Sequence, residues 1–320
     1  MLTRRDIFLG LGSVGLGAAF EGTPAFAQKV QSVVTTTGMI ADVARNIGSP
    51  YVTVQALMGP GVDPHAYRQT RNDIIAMSKA DLVLYHGLDL EAQMLEFFDK
   101  LKTKTRVTSV TDGLERASLL PYEGVSGKFD PHIWMDVSLW SQIIETVVAE
   151  LSAIVPINVD HFQENGERLR QDLRGLHDYG QSALSTVPVQ NRTLVTAHDA
   201  FGYFGAAYGL EVLGVQGMST NSEAGLFRIK ELVDFLVTRK IPSVFVESSV
   251  AERNVRALIE GAASRGHKVS LGGKLYSDAM GPEGRYEGTY IGMMDHNITV
   301  IARALGGDVH AAGLNGKLRA

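Results

Sequence analysis

Short runs of β-branched and aliphatic residues alternate with longer stretches whose apolar positions recur every three or four residues, from Val30 almost to the C-terminus. The runs "VQSVVTT", "YVTVQALM", "DLVLYHG" and "TRVTSVTDG" predict four strands. Between them "MIADVARNIG", "RNDIIAMSKA" and "EAQMLEFFDKL" predict amphipathic helices, and "VSLWSQIIETVVAELSAIV" predicts one long closing helix. The scheme then repeats. Strands are expected at "RTLVTA", "EVLGVQG", "PSVFVES" and "KVSLGG", and helices at "FGYFGAAYG", "EAGLFRIKELVDFLVTRK", "ERNVRALIEGAASRG" and "YIGMMDHNITVIARAL". In the second of these helices Leu226, Ile229, Leu232, Val233, Leu236 and Val237 mark one buried face. Such βα alternation predicts an α/β chain of two similar halves, each a four-stranded parallel sheet with flanking helices.

The halves are separated by a different pattern. Residues 157–187, bounded by Pro156 and Pro188, are polar with a sparse apolar stripe at Phe162, Leu169, Leu173 and Leu176. The stripe has helical spacing, so the segment predicts one long connecting helix of about 45 Å. Gly166, Gly175 and Gly180 are its expected weak points. The expected organisation is an export leader at 1–27, a lobe at 28–156, the connecting helix at 157–187 and a second lobe at 188–320.

Composition narrows the function classes. With 320 residues and 45% hydrophobic content the chain can bury a full core in two domains. A net charge of −5 gives no basic face for nucleic acid. The absence of cysteine removes disulfides, thiolate metal sites, cysteine nucleophiles and a lipid-modified N-terminal cysteine. The N-terminus is an address: Arg4-Arg5 with Ile7, Phe8 and Leu9 behind it, a short apolar run, and small residues up to Ala27 for cleavage. The paired arginines match a twin-arginine export signal as well as an ordinary one. No other segment is expected to have the length and apolarity of a membrane span.

Candidate chemistry lies in the histidines. His161, His177, His267 and His310 fall in polar or turn-like context and are expected in solvent, while His296 sits in the last helix and His86 ends a strand. His65, His132 and His198 differ, because each is placed after a predicted parallel strand, at the edge where open α/β sheets bind ligands. His65 and His132 close the same tripeptide, Asp63-Pro64-His65 and Asp130-Pro131-His132. Proline fixes its own φ and biases the aspartate before it to extended backbone, so each histidine leaves a stiff turn. The two aspartates are read as turn caps. Asp278 in "KLYSDAMG" follows the last strand of the second half. Three imidazoles and a carboxylate suit Mn²⁺, Zn²⁺ or Fe²⁺. Glu247 in "FVESS" points to the same edge, either as acceptor for a ligand imidazole or as a contact of other cleft groups.

"GVDPHAY", "FDPHIWMDVSLW", "LVTAHDAFGYF", "FVESS" and "LYSDAMG", in order along the chain, resemble the TroA-like metal-binding receptors of bacterial ABC importers for zinc and manganese. The resemblance implies two lobes joined by one long helix, and metal ligands at His65, His132, His198 and Asp278. It implies a solute-binding protein that carries one divalent transition metal ion as cargo to a membrane permease with a separate ATPase subunit. With no cysteine for the lipid that lipoprotein relatives carry, a soluble periplasmic receptor without a lipid anchor is expected, and a monomer. The interval from Tyr67 to Asp130 lacks the His-rich loop of zinc-specialised relatives, which tilts the expectation to manganese, with zinc next and ferrous iron behind. The competing class is a secreted metal-dependent hydrolase using the same His/Asp site. Four protein ligands would leave it little room for substrate, and no H-E-x-x-H motif is present. The expectation is therefore a binding protein and not an enzyme.

Overall fold

The computed structural model describes residues 30–122, 125–221 and 224–318; the export leader expected at 1–27 lies outside them. In the first lobe β1 (Gln31–Thr35), β2 (Val52–Ala56), β3 (Leu82–Tyr85) and β4 (Arg106–Ser109) form one parallel sheet in the order β2-β1-β3-β4. Helices α1 (Gly38–Gly48), α2 (Arg71–Lys79) and α3 (Leu95–Leu101) connect them. In the second lobe β5 (Thr193–His198) pairs with β6 (Glu211–Gln216), and β7 (Ser243–Glu247) with β8 (Ser270–Leu275), all parallel. The four expected strands are there, hydrogen-bonded as two pairs. The helices are α7 (Gly202–Tyr208), α8 (Leu226–Arg239), α9 (Arg253–Ser264) and α10 (Tyr290–Ala304).

The closing helix of the first lobe is broken into α4 (Val137–Trp140) and α5 (Ile143–Ile154). At the break the Ser141 hydroxyl donates to the Ser138 carbonyl at 2.7 Å, a local bond of the kind that competes with the helical ladder. The stretch Val137–Ile154 does reach the length and mean hydropathy (1.3) of a membrane span, which the sequence reading did not expect. Its apolar side chains Trp140, Ile143, Ile144, Val147 and Leu151 are buried in the protein core, so the apolarity is that of a packed helix.

The connector is a single helix, α6 (Val159–Ser185), of 27 residues, about 40 Å long. Two of its glycines are close-packing points and not breaks. A Cβ at Gly166 would stand 2.8 Å from Val148 Cγ2, and one at Gly180 would stand 2.7 Å from Tyr208 Cε1. Only a Cβ at Gly175 would meet nothing within 4 Å. Phe162, Leu169, Leu173 and Leu176 turn inward and join a core that runs through both lobes, with Trp134, Trp140, Phe201, Phe204 and Tyr290 among its large members. A second cluster lies between α8, α9 and strands β5–β7. Leu226, expected on the buried face of α8, is 90% exposed, and Phe227 beside it 82%. The first turn of α8 overhangs the core; packing begins at the half-buried Ile229, and Leu232 is the first fully buried residue.

Candidate metal centre

Five loops or strand ends carry side chains to the carboxyl edge of the parallel strands. His65 lies in the loop between β2 and α2. His198 is the last residue of β5, Glu247 the last of β7, and Asp278 follows β8 by three residues. His132 differs from expectation: β4 ends at Ser109, and an irregular segment with a single antiparallel bridge, Pro121 to Phe129, brings His132 back to the edge. It then caps a short 3-10 turn, Ile133–Met135.

Both Asp-Pro-His turns close in the same way. Asp63 Oδ1 accepts the His65 amide at 2.8 Å, and Asp130 Oδ1 accepts the His132 amide at 2.9 Å. These are Asx-type turns, in which the aspartate side chain stands in for a backbone acceptor. Asp130 has a second task that the sequence reading missed. Its Oδ1 also receives His132 Nδ1–H at 2.7 Å, which leaves Nε2 bare and turned to the site. Residue type and position alone fit both tasks equally, so the sequence held no signal between them. Beneath this turn the Pro131 carbonyl accepts His86 Nε2–H at 2.6 Å, and Glu91 accepts the His86 amide at 2.7 Å. His86 is therefore a buried brace of the His132 turn and points to no cleft.

Glu247 does for His198 what Asp130 does for His132. Its Oε1 accepts the His198 amide at 2.8 Å, and its Oε2 accepts His198 Nδ1–H in a short contact. Asp278 Oδ2 accepts the Ser249 hydroxyl at 3.0 Å, a partner that nothing in the sequence announced. Of the remaining histidines only His310 is exposed. His161, His267 and His296 are half-buried on the carbonyls of Ser49, Ile241 and Lys274, and His177 is half-buried beside Gln181, a departure from the solvated reading for three of them.

The ligand atoms of His65, His132, His198 and Asp278 all lie within 4.8 Å of one another. His65 Nε2 and His132 Nε2 are 3.1 Å apart, His198 Nε2 is 3.3 Å from Asp278 Oδ2, and His132 Nε2 is 3.5 Å from Asp278 Oδ1. His132, His198 and Asp278 are 0–2% exposed and His65 6%. His65 borders a surface cleft lined also by Leu88, Tyr122 and Phe129, and Asp278 borders a separate cleft lined also by Met58 and Met280. His198 Nε2 and Asp278 Oδ1 are buried without a hydrogen-bond partner. A cation between the four would complete both, and borderline N/O donors fit a divalent transition metal.

The electrostatics agree. Burial pulls the His65 imidazole down to about 3, against the opposing Asp278 carboxylate, so it is neutral and ready to coordinate at physiological pH. Burial also acts to lower His198, but Asp278 and Glu247 together hold it well above the ordinary histidine range. Burial acts to raise Asp278, and the facing imidazoles, His198 first, more than reverse it. Without metal, these two carboxylates favour the protonated form of His198.

The profile of the family described as "Zinc-uptake complex component A periplasmic" matches residues 33–304. The chain is 45% identical over 298 residues to the zinc-binding protein TroA of Treponema pallidum, covering 93% of this chain and 96% of that protein. It is 43% identical over 299 residues to the manganese-binding lipoprotein MntA of Bacillus subtilis, covering 93% and 97%. The structure of the Treponema pallidum protein superposes with a TM-score of 0.84 over 86% of this chain and 99% of that one, at 45% identity. A manganese-bound periplasmic metal-binding protein from Candidatus Liberibacter asiaticus gives 0.76 over the same shares, at 25% identity.

Proposed function

Because the chain belongs to the periplasmic zinc-uptake component A family, we propose that it captures one manganese or zinc ion outside the cytoplasmic membrane and passes it to an ABC permease. The family is one of transport receptors, working with a permease and its ATPase, and the hydrolase alternative finds no support among the relatives. The observation that carries the reading for this chain is the buried convergence of His65, His132, His198 and Asp278. In this reading those four are the metal ligands, and Asp130 and Glu247 hold two of the imidazoles with their Nε2 lone pairs forward.

The relatives bind different metals by name, manganese in one case and zinc in another. Intrinsic affinity favours zinc over manganese for any such donor set, so selectivity for manganese requires extra coordination, such as both oxygens of Asp278. The leader expected at 1–27 supports release to the periplasm. No cysteine in the 320 residues can carry a thioether-linked lipid, in contrast to the lipoprotein relatives. We propose a free, monomeric receptor. Elemental analysis of protein purified from its own periplasm, with competition titrations of the metal-free form, tests the reading. One equivalent of manganese or zinc is expected, and a protein that takes up neither would contradict it.

A further inference from the structure

The four candidate ligands are not held alike. His132 and His198 each give Nδ1–H to a buried carboxylate, and Asp278 is held by Ser249. Among the described residues His65 Nδ1 has no such carboxylate. What fixes His65 is its loop. Asp63 Oδ1 caps the His65 amide, while Asp63 Oδ2 accepts a short hydrogen bond from the Thr220 hydroxyl. Thr220 lies in the other lobe, between β6 and α8. Next to it Asn221 Nδ2–H donates to the His65 carbonyl at 3.4 Å.

We propose that Asp63 is a positioning residue that fastens the His65 loop to the opposite lobe through Thr220, and that this latch sets how long the metal stays bound. The inference rests on the reading of His65 as a ligand. One carboxylate serves two ends: one oxygen orients the histidine's backbone, the other is tied across the cleft. Opening the Thr220 bond frees the loop to swing His65, the most exposed of the four, out of the site. The remaining ligands, braced inside their own lobes, stay in place. Asp63 is half-buried, so the bond is charge-assisted in a partly desolvated setting, where such bonds are strong.

The test keeps every ligand and changes only the far end of the latch. Zinc-loaded protein is mixed with excess chelator, and metal release is followed in time. Thr220→Val, nearly isosteric but without the hydroxyl, should release zinc about tenfold faster or more, the range of a hydrogen bond to a charged group. Thr220→Ser restores the hydroxyl and should release at close to the wild-type rate. Asn221→Ala should move the same way as Thr220→Val by a smaller factor, and keeps the test open if the valine variant folds poorly. Wild-type release from both Thr220→Val and Asn221→Ala overturns the latch. A wild-type protein that binds no zinc or manganese overturns the metal reading itself, so the two failures are distinct.

Discussion

The two Asp-Pro-His turns share a tripeptide and an aspartate cap, yet their surroundings differ at every further contact. Around Asp130 everything is buried: His132 is bound through both its amide and its ring, His86 supports the Pro131 carbonyl, and Tyr203 from the second lobe donates to the Asp130 carbonyl at 3.0 Å. Trp134, two residues on, gives its indole N–H to the Ser277 carbonyl at 2.8 Å, next to Asp278. Around Asp63 the ring of His65 is left to the loop, and the carboxylate is shared with Thr220 across the cleft. A stiff tripeptide therefore aims a histidine, while its neighbours decide whether that histidine is fixed or movable.

The largest expected effect follows the loss of a candidate ligand. His132→Ala, His198→Ala, Asp278→Ala and His65→Ala should each weaken metal binding about 100- to 1000-fold, roughly a quarter share of the about 10–16 kcal/mol of a four-ligand site. Calorimetric titration of the metal-free proteins measures it. The comparison predicts a split in stability: His132→Ala leaves Asp130 buried without its ring partner and lowers the melting temperature of the metal-free protein, whereas His65→Ala does not. Equal melting temperatures would break the contrast.

Removing the carboxylates sharpens it. Asp130→Ala should cost about 10- to 100-fold in affinity, as outer partners of ligand histidines do. It should also cost about 1–3 kcal/mol of folding stability for each buried donor left unpaired. Asp63→Ala should mainly speed metal release, with a smaller loss of stability.

The pH dependence has two parts. His65 and His86 are both brought to about 3 by burial, while an unfolded histidine titrates near ~6.5. Between these values the unfolded chain binds protons that the folded chain refuses, so metal-free stability falls as pH drops from about 6.5 towards 3. His198 has the opposite sign. Its raised pKa contributes stability that is full below about 6.5 and is lost as pH rises through the folded value. Metal must displace that proton, so uptake near neutral pH should release about one proton, and affinity should drop about tenfold per pH unit on acidification. Titrations in buffers of different ionisation enthalpy would show it. Uptake without proton release would contradict a protonated His198.

The smallest effect concerns overall shape. An unbroken α6 and a core continuous through both lobes oppose wide closure, so metal should leave the radius of gyration from small-angle scattering nearly unchanged. A clear compaction would mean that the lobes move as bodies, and the contrast between one movable and three fixed ligands would lose its basis.

Most of the architecture was legible because apolar periodicity reports directly on burial, and every predicted strand and helix has a counterpart. What periodicity could not supply was tertiary in origin. The break at Ser141, the overhang of Leu226 and the packing roles of Gly166 and Gly180 depend on what stands opposite each residue. The candidate ligands were legible from strand ends and from the family motifs. Asp130 as a ring partner, Ser249 on Asp278 and Thr220 on Asp63 were not, because hydrogen bonds between residues distant in sequence leave no spacing to read.

The central claim is that one ion is shared by three imidazoles and one carboxylate from both lobes. Crystals of the metal-free protein soaked in manganese, with anomalous data collected near the manganese edge, test it most directly. One strong anomalous peak is expected, within coordination distance of Nε2 of His65, His132 and His198 and of a carboxylate oxygen of Asp278. A peak elsewhere, or one lacking contacts to either lobe, would contradict it.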